Sequence, residues 1–160
     1  MAKKICLYGI LSAVCIVLGY VEHLVSLDFI APGVKVGLSN SVALILIAFG
    51  DVKGAFAVNI VRVLLSAWLF TSPMALLFSI SGAIASLVVM WVFSKIKSVG
   101  FYGVSVMGAV VHNIAQLVCA FILLGKGVWY YSPILLISGT VCGLLTATVS
   151  KLVCVKIKKN

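Results

Sequence analysis

From residue 63 to residue 94 the chain contains no Asp, Glu, Lys or Arg, and the same holds for residues 98–125 and 127–150. Such runs are far longer than any soluble strand and match the roughly 20 residues with which a helix crosses a bilayer. A backbone in hydrocarbon has to satisfy its own hydrogen bonds, and runs of this kind do so as helices. Of the 160 residues, 64% are hydrophobic and 9% are charged, where soluble domains carry roughly 25% charged residues. A soluble globule is excluded, and the bilayer is the solvent.

Apolar runs read against their punctuation predict an all-α membrane bundle of six spans, near residues 5–21, 36–50, 54–71, 73–93, 103–124 and 133–154. These make one integral membrane domain over residues 1–160. Lys3 and Lys4 before the first run resemble the start of a signal peptide, but no small-x-small cleavage site follows Gly19, so the run is read as a retained first span. With the amino terminus inside, Lys3, Lys4, Lys53, Lys95, Lys97, Lys151, Lys156, Lys158 and Lys159 fall on the cytoplasmic side, and only Lys35 and Lys126 outside. Both termini are therefore expected in the cytoplasm.

The net charge of +9 is placed at span ends, where it sets orientation and meets lipid headgroups, rather than in a segment able to track phosphates. Nucleic-acid binding is not expected. Cys6, Cys15, Cys119, Cys142 and Cys154 form no CxxC pair, and no disulfide framework or metal site is expected. The sequence lacks a GxxxxGK[ST] phosphate loop, HExxH, GxSxG and paired carboxylates. No catalytic residue and no cofactor is assigned, and the chain is not read as an enzyme.

The informative residues are those that a bilayer rejects. Arg62 sits in the middle of the third span, where a charge costs roughly 2.5–3.5 kcal/mol on insertion scales, so it must face protein, water or ligand. Asn59 and Ser66 fall on its side of the helix, within an arc of about 60°. His112, Asn113 and Gln116 make a second polar stripe on the fifth span, at similar depth. Lys35, Ser39, Asn40 and Ser41 begin the second span, and Tyr20, Glu22 and His23 end the first, on the outer side. Convergence of these groups predicts a polar cavity opening outward, with the Arg62 and His112 stripes facing each other. Neither Glu22 nor Asp28 obviously reaches Arg62 at mid-depth, so a ligand phosphate or carboxylate is the expected counter-charge. The apolar-rich loop from Glu22 to Lys35 suits either a lid or a segment lying on headgroups. Structural hydrogen bonding among the buried polar residues is the competing reading.

Gly9 and Ala13 lie one turn apart on the first span and offer a surface for close approach of another helix, inside the bundle or from a partner.

The stretches Leu18-Gly19-Tyr20-Val21-Glu22, Pro32-Gly33-Val34-Lys35-Val36-Gly37-Leu38-Ser39-Asn40, Arg62-Val63-Leu64-Leu65 and His112-Asn113-Ile114-Ala115-Gln116-Leu117 resemble those of the Gx transporter family. That family is often labelled heptaprenyl diphosphate synthase component I and is grouped with the substrate-binding S subunits of energy-coupling factor (ECF) transporters. The resemblance implies a six-helix S-component fold in the plasma membrane of a bacterium, with an outward-facing pocket under the first outer loop. It also implies a small-residue face on the first span, matched loosely by Gly9 and Ala13, that docks a transmembrane coupling subunit served by two cytoplasmic ATPases.

The expected function is that of an S component capturing a small vitamin-like solute, anionic or aromatic, with Arg62, Asn59, Ser66, His112, Asn113 and Gln116 as contacts and Lys35, Asn40 and Glu22 at the mouth. Prenyl chain elongation needs aspartate clusters to hold magnesium, and this sequence has only Asp28 and Asp51. The alternative is accordingly a non-catalytic membrane accessory protein in prenyl diphosphate or quinone synthesis.

Overall fold

The computed structural model describes residues 2–24, 37–70 and 73–159. Six α-helices follow in order: α1 (Ala2–Leu24), α2 (Asn40–Ala48), α3 (Val52–Phe70), α4 (Pro73–Ser94), α5 (Phe101–Leu124) and α6 (Ser132–Lys159), with a 3-10 helix at Lys126–Tyr131 leading into α6. There is no strand among the described residues. The chemistry of the ends is local. Pro73 opens α4, where its missing N–H costs nothing. Gly50 after α2 and Gly125 after α5 take φ +80° and +88°, conformations that glycine adopts without penalty.

α1, α4, α5 and the 3-10 segment with α6 are each long and apolar enough to cross a membrane. Their outward faces are apolar, as Ile5, Ile122 and Ile137 illustrate at 70%, 74% and 69% exposure. Long apolar helices with lipid-like exteriors make this a multi-pass α-helical membrane protein.

Helices α3 and α4, α4 and α5, and α5 and α6 pack in succession, while α1 lies on α3. α2 is enclosed by α1, α3, α4 and α6. It is the shortest helix, with 9 residues, and about 14 Å of helix cannot cross a hydrocarbon core of about 30 Å. Of the expected span 36–50, Asn40–Ala48 form this short interior helix, preceded by a turn at Gly37 with φ +81°. Six of its nine residues are buried, and Val42, Ala43 and Leu44 form a core cluster with Cys15 of α1, Val58 of α3, Leu87 and Met90 of α4 and Val104 of α5.

A short buried helix needs partners for its ends, and the bundle supplies them. Thr146 and Ser150 of α6 donate to the carbonyl oxygens of Gly37 and Ser41, at 3.3 and 3.4 Å. At the other end, the turn into α3 is fixed by Asp51, whose carboxylate accepts from the Gly54 N–H at 3.1 Å and from the Tyr8 hydroxyl of α1 at 2.6 Å. The α5–α6 seam is closer still. A Cβ on Gly143 would lie 2.8 Å from Val106 Cα, and Ser105 donates to the Gly143 carbonyl at 2.7 Å.

Candidate functional site

The start of α2 lies inside the bundle, and charged side chains from two neighbouring helices meet there. Glu22, near the end of α1, is 7% exposed. Its carboxylate accepts from the Leu38 N–H and, at 3.2 Å, from the Ser39 hydroxyl. Anions are favoured at a helix amino terminus, because the first N–H groups have no partner within the helix and the helix dipole is positive there. On the opposite side of Ser39, Arg62 of α3 donates from Nη1 to the same hydroxyl oxygen. Ser39 therefore joins the guanidinium to the carboxylate. The thiol of Cys15 on α1 approaches the Ser39 carbonyl at 3.7 Å.

Arg62 is partly buried, and its Nε is fully buried with no hydrogen-bond partner among the described residues. It follows Val52 by ten residues, so it sits roughly 15 Å along a helix of about 28 Å. Arg62 thus lies midway along α3, with its Nε turned into the protein. The expectation that no acid reaches it is corrected: Glu22 comes within one hydroxyl of it, because α2 starts deep enough to present Ser39 between them.

Helical phase grouped Asn59 and Ser66 with Arg62, and the bundle turns Asn59 away while Ser66 stays on the α1 side, where Glu22 also lies. Ser66 Oγ lies 4.0 Å from a Cβ built on Gly19, on the α1 side. Asn59, 4% exposed, lines a cavity of about 190 Å³ between α3 and α4 whose other walls include Phe56, Val63, Ala83 and Leu87. Arg62 is not part of that lining.

The stripe on α5 does not face Arg62. A Cβ on Gly82 of α4 would lie 2.9 Å from both His112 Nε2 and Gln116 Cγ, so these two residues pack on α4. Asn113 turns to α6, where its Nδ2 donates to the Leu135 carbonyl at 2.8 Å and its side chain fills the space over Gly139. Because α4 stands between α3 and α5, the expected meeting of the two stripes is corrected to two separate polar layers. Asn40 is partly buried in the first turn of α2, with Nδ2 3.9 Å from a Cβ built on Gly37. Lys35 and the Glu22 to Lys35 loop from residue 25 onward lie outside the described residues, as does the His23 side chain.

Gly9 and Ala13 are exposed on α1, and nothing lies within 4 Å of a Cβ on Gly9. Neither packs inside the bundle as described. The residues that sequence reasoning passed over are Ser39 as a bridge and Thr146 and Ser150 as supports of α2. Their signal was present as hydroxyls within apolar runs, but such residues also serve ordinary helix packing.

A bundle of lipid-facing helices surrounding a short interior helix, with a buried acid and base joined at its start, defines a multi-pass membrane protein with an internal charged node. The chain belongs to the heptaprenyl diphosphate synthase component I family, whose model matches residues 11–153. No curated protein sequence and no solved structure matches the chain.

Proposed function

We propose that this protein is the substrate-binding membrane subunit, the S component, of an ECF-type transporter, capturing a small vitamin-like solute from outside for ATP-driven uptake by its partner subunits. The observation that carries this reading is the node at Arg62, Ser39 and Glu22. Helices that begin inside a membrane bundle, with their amino termini next to charged side chains, are a recurring way of building solute sites in transporters. The buried Nε of Arg62 leaves donor capacity for an anionic group. Arg62 and Ser39 are the central contacts, with Glu22 and Asn40 beside them and Lys35 at the mouth. Asn59, His112, Asn113 and Gln116 have a smaller share, since they pack toward α4 and α6, and Ser66 lies nearer the node on the α1 side.

In this reading the chain passes between the two membrane faces six times, α2 forming only the inner part of the second passage, and both termini lie in the cytoplasm of a bacterial cell. The contacts of Tyr8 with Asp51 and of Lys151 with the Tyr102 ring at 5.1 Å support it, because they bring lysine-rich chain ends to the starts of α3 and α5. The open α1 face at Gly9 and Ala13 then docks the transmembrane coupling subunit that carries the two ATPases.

The test is retention of a co-purifying small molecule. Wild-type protein is expected to hold one, and Arg62→Ala to lose it; unchanged retention by Arg62→Ala refutes the assignment. The family description favours a second reading, a non-catalytic accessory protein in prenyl diphosphate or quinone synthesis. Affinity capture followed by mass spectrometry separates the two. A soluble prenyl synthase among the captured proteins supports the accessory role, and a coupling subunit with ATPases supports transport.

A further inference from the structure

Arg62 and Glu22 balance each other in charge across the Ser39 hydroxyl. Hydrocarbon surroundings tolerate a neutral pair and reject a net charge. A solute anion added beside this pair leaves an excess negative charge, which has to be cancelled for the anion to stay. The guanidinium keeps an unused donor for it: Nη1 is engaged by Ser39, while Nε, on a different edge of the fork, is buried without a partner among the described residues. Oxyanions engage guanidinium edges through two parallel N–H bonds.

Building on the binding role proposed above, we infer that anion capture at Arg62 is coupled to the uptake of one proton by Glu22, so that the site takes an oxyanion and a proton together. The proton bonds to a Glu22 carboxylate oxygen, and no other bond forms or breaks. A singly charged anion then leaves the node in charge balance, replacing Glu22 as the partner of Arg62.

The groups facing Glu22 are the Leu38 amide and Ser39 hydroxyl ahead of α2, Arg62 from α3, and within electrostatic reach Cys15 of α1 and Cys142 of α6. Ordinary thiols and guanidinium groups titrate above pH 8, whereas carboxyls in low-dielectric surroundings are found titrating in the neutral range. His23 follows Glu22 in sequence, and a Glu22→Gln control distinguishes the two.

The sequence itself supplies the probes, since Arg62 is its only arginine and Glu22 its only glutamate. In the full-length protein in nanodiscs, ¹⁵N-arginine and ¹³C-glutamate labelling therefore each report one site. Sulfate serves as the oxyanion, because it stays fully ionised from pH 5 to 8 and its double charge makes the demand for the Glu22 proton at least as strong as a monoanion would. Sulfate is expected to move the Arg62 Nε resonance, with an affinity that rises by up to about tenfold per pH unit as pH falls. At fixed pH it is expected to convert the Glu22 signal to the protonated form. Glu22→Gln is expected to bind sulfate at least tenfold more tightly at pH 8 and to lose the pH slope.

An Arg62 signal unmoved by sulfate at any pH, a wild-type affinity independent of pH, or a slope that survives in Glu22→Gln each overturns the coupling. The labelled wild type decides the matter even where the variant does not fold. Loss of the co-purified solute in Arg62→Ala together with a flat sulfate profile leaves the binding role standing and removes the coupling alone.

Discussion

The Tyr8 hydroxyl donates to Asp51 Oδ2 at 2.6 Å, fastening the first helix to the turn that joins α2 and α3. This contact lies toward the α3 start, while the charged node lies farther along α3 at Arg62. α1 is thus held to the interior at two levels, by Tyr8 below and by Glu22 above.

The clasp is expected to depend on pH. The Tyr8 hydroxyl, then the Gly54 N–H, and less strongly Lys4 hold the Asp51 carboxyl below its ordinary value. A group with a lowered folded-state pKa contributes its stability in full above its unfolded pKa and loses it as pH falls through the folded one. Tyr8→Phe is expected to lower the melting temperature by about 1–2 °C at pH 7, since exposed contacts are screened. The difference should shrink as pH falls below about 4. Thermal melts of both proteins across pH check it.

Glycine substitutions are expected to separate packing from docking. Gly143→Ala places a methyl 2.8 Å from Val106 Cα, which is backbone and does not yield cheaply. A cost of about 1–3 kcal/mol is expected in an unfolding titration. Gly9→Ala meets nothing within 4 Å and should leave stability unchanged. If α1 docks a coupling subunit through this face, Gly9→Leu weakens capture of that subunit while the isolated protein melts as the wild type does.

Asn113 spends its amide on the Leu135 carbonyl across the α5–α6 seam. Asn113→Ala is expected to cost about 0.6–1.7 kcal/mol, the range found for hydrogen bonds between membrane helices. Solute retention should change little. Retention lost at unchanged stability would return Asn113 to the binding site.

Glu22 and Arg62 are expected to be coupled in stability. Removing either leaves the other buried without its counter-charge, at a cost of about 3 kcal/mol or more. The double variant Glu22→Ala with Arg62→Ala removes both charges and should cost less than the two single changes added together. A double-mutant cycle in detergent measures the difference, and strict additivity would show that Ser39 does not connect them.

Much of the bundle was legible in order. The apolar runs pointed to helices where α3, α4, α5 and α6 lie, since an apolar run in lipid has little choice beyond a helix. α2 misled the reading because residues 36–50 are as apolar as a short span, and only its neighbours reveal that most of it is buried in protein. The site was half legible. Arg62 announced itself by its cost in lipid, and Glu22 by its place at a span end. Asn59 and His112 carried the same polar signal yet turned to α4, and Asn113 to α6, because phase about one axis fixes a side chain's direction and not the neighbour it meets.

By itself the sequence determined that the chain lives in a membrane, that it is helical, and that one guanidinium must be sheltered, because transfer free energies act on each residue where it stands. Which groups shelter it was decided only by tertiary structure. The Ser39 hydroxyl reaches both Arg62 and Glu22 because α6 holds the start of α2 in place, through a Thr146 bond to Gly37 that spans 109 residues of chain. Contacts at that separation depend on how whole helices pack, and no local pattern of residues encodes them.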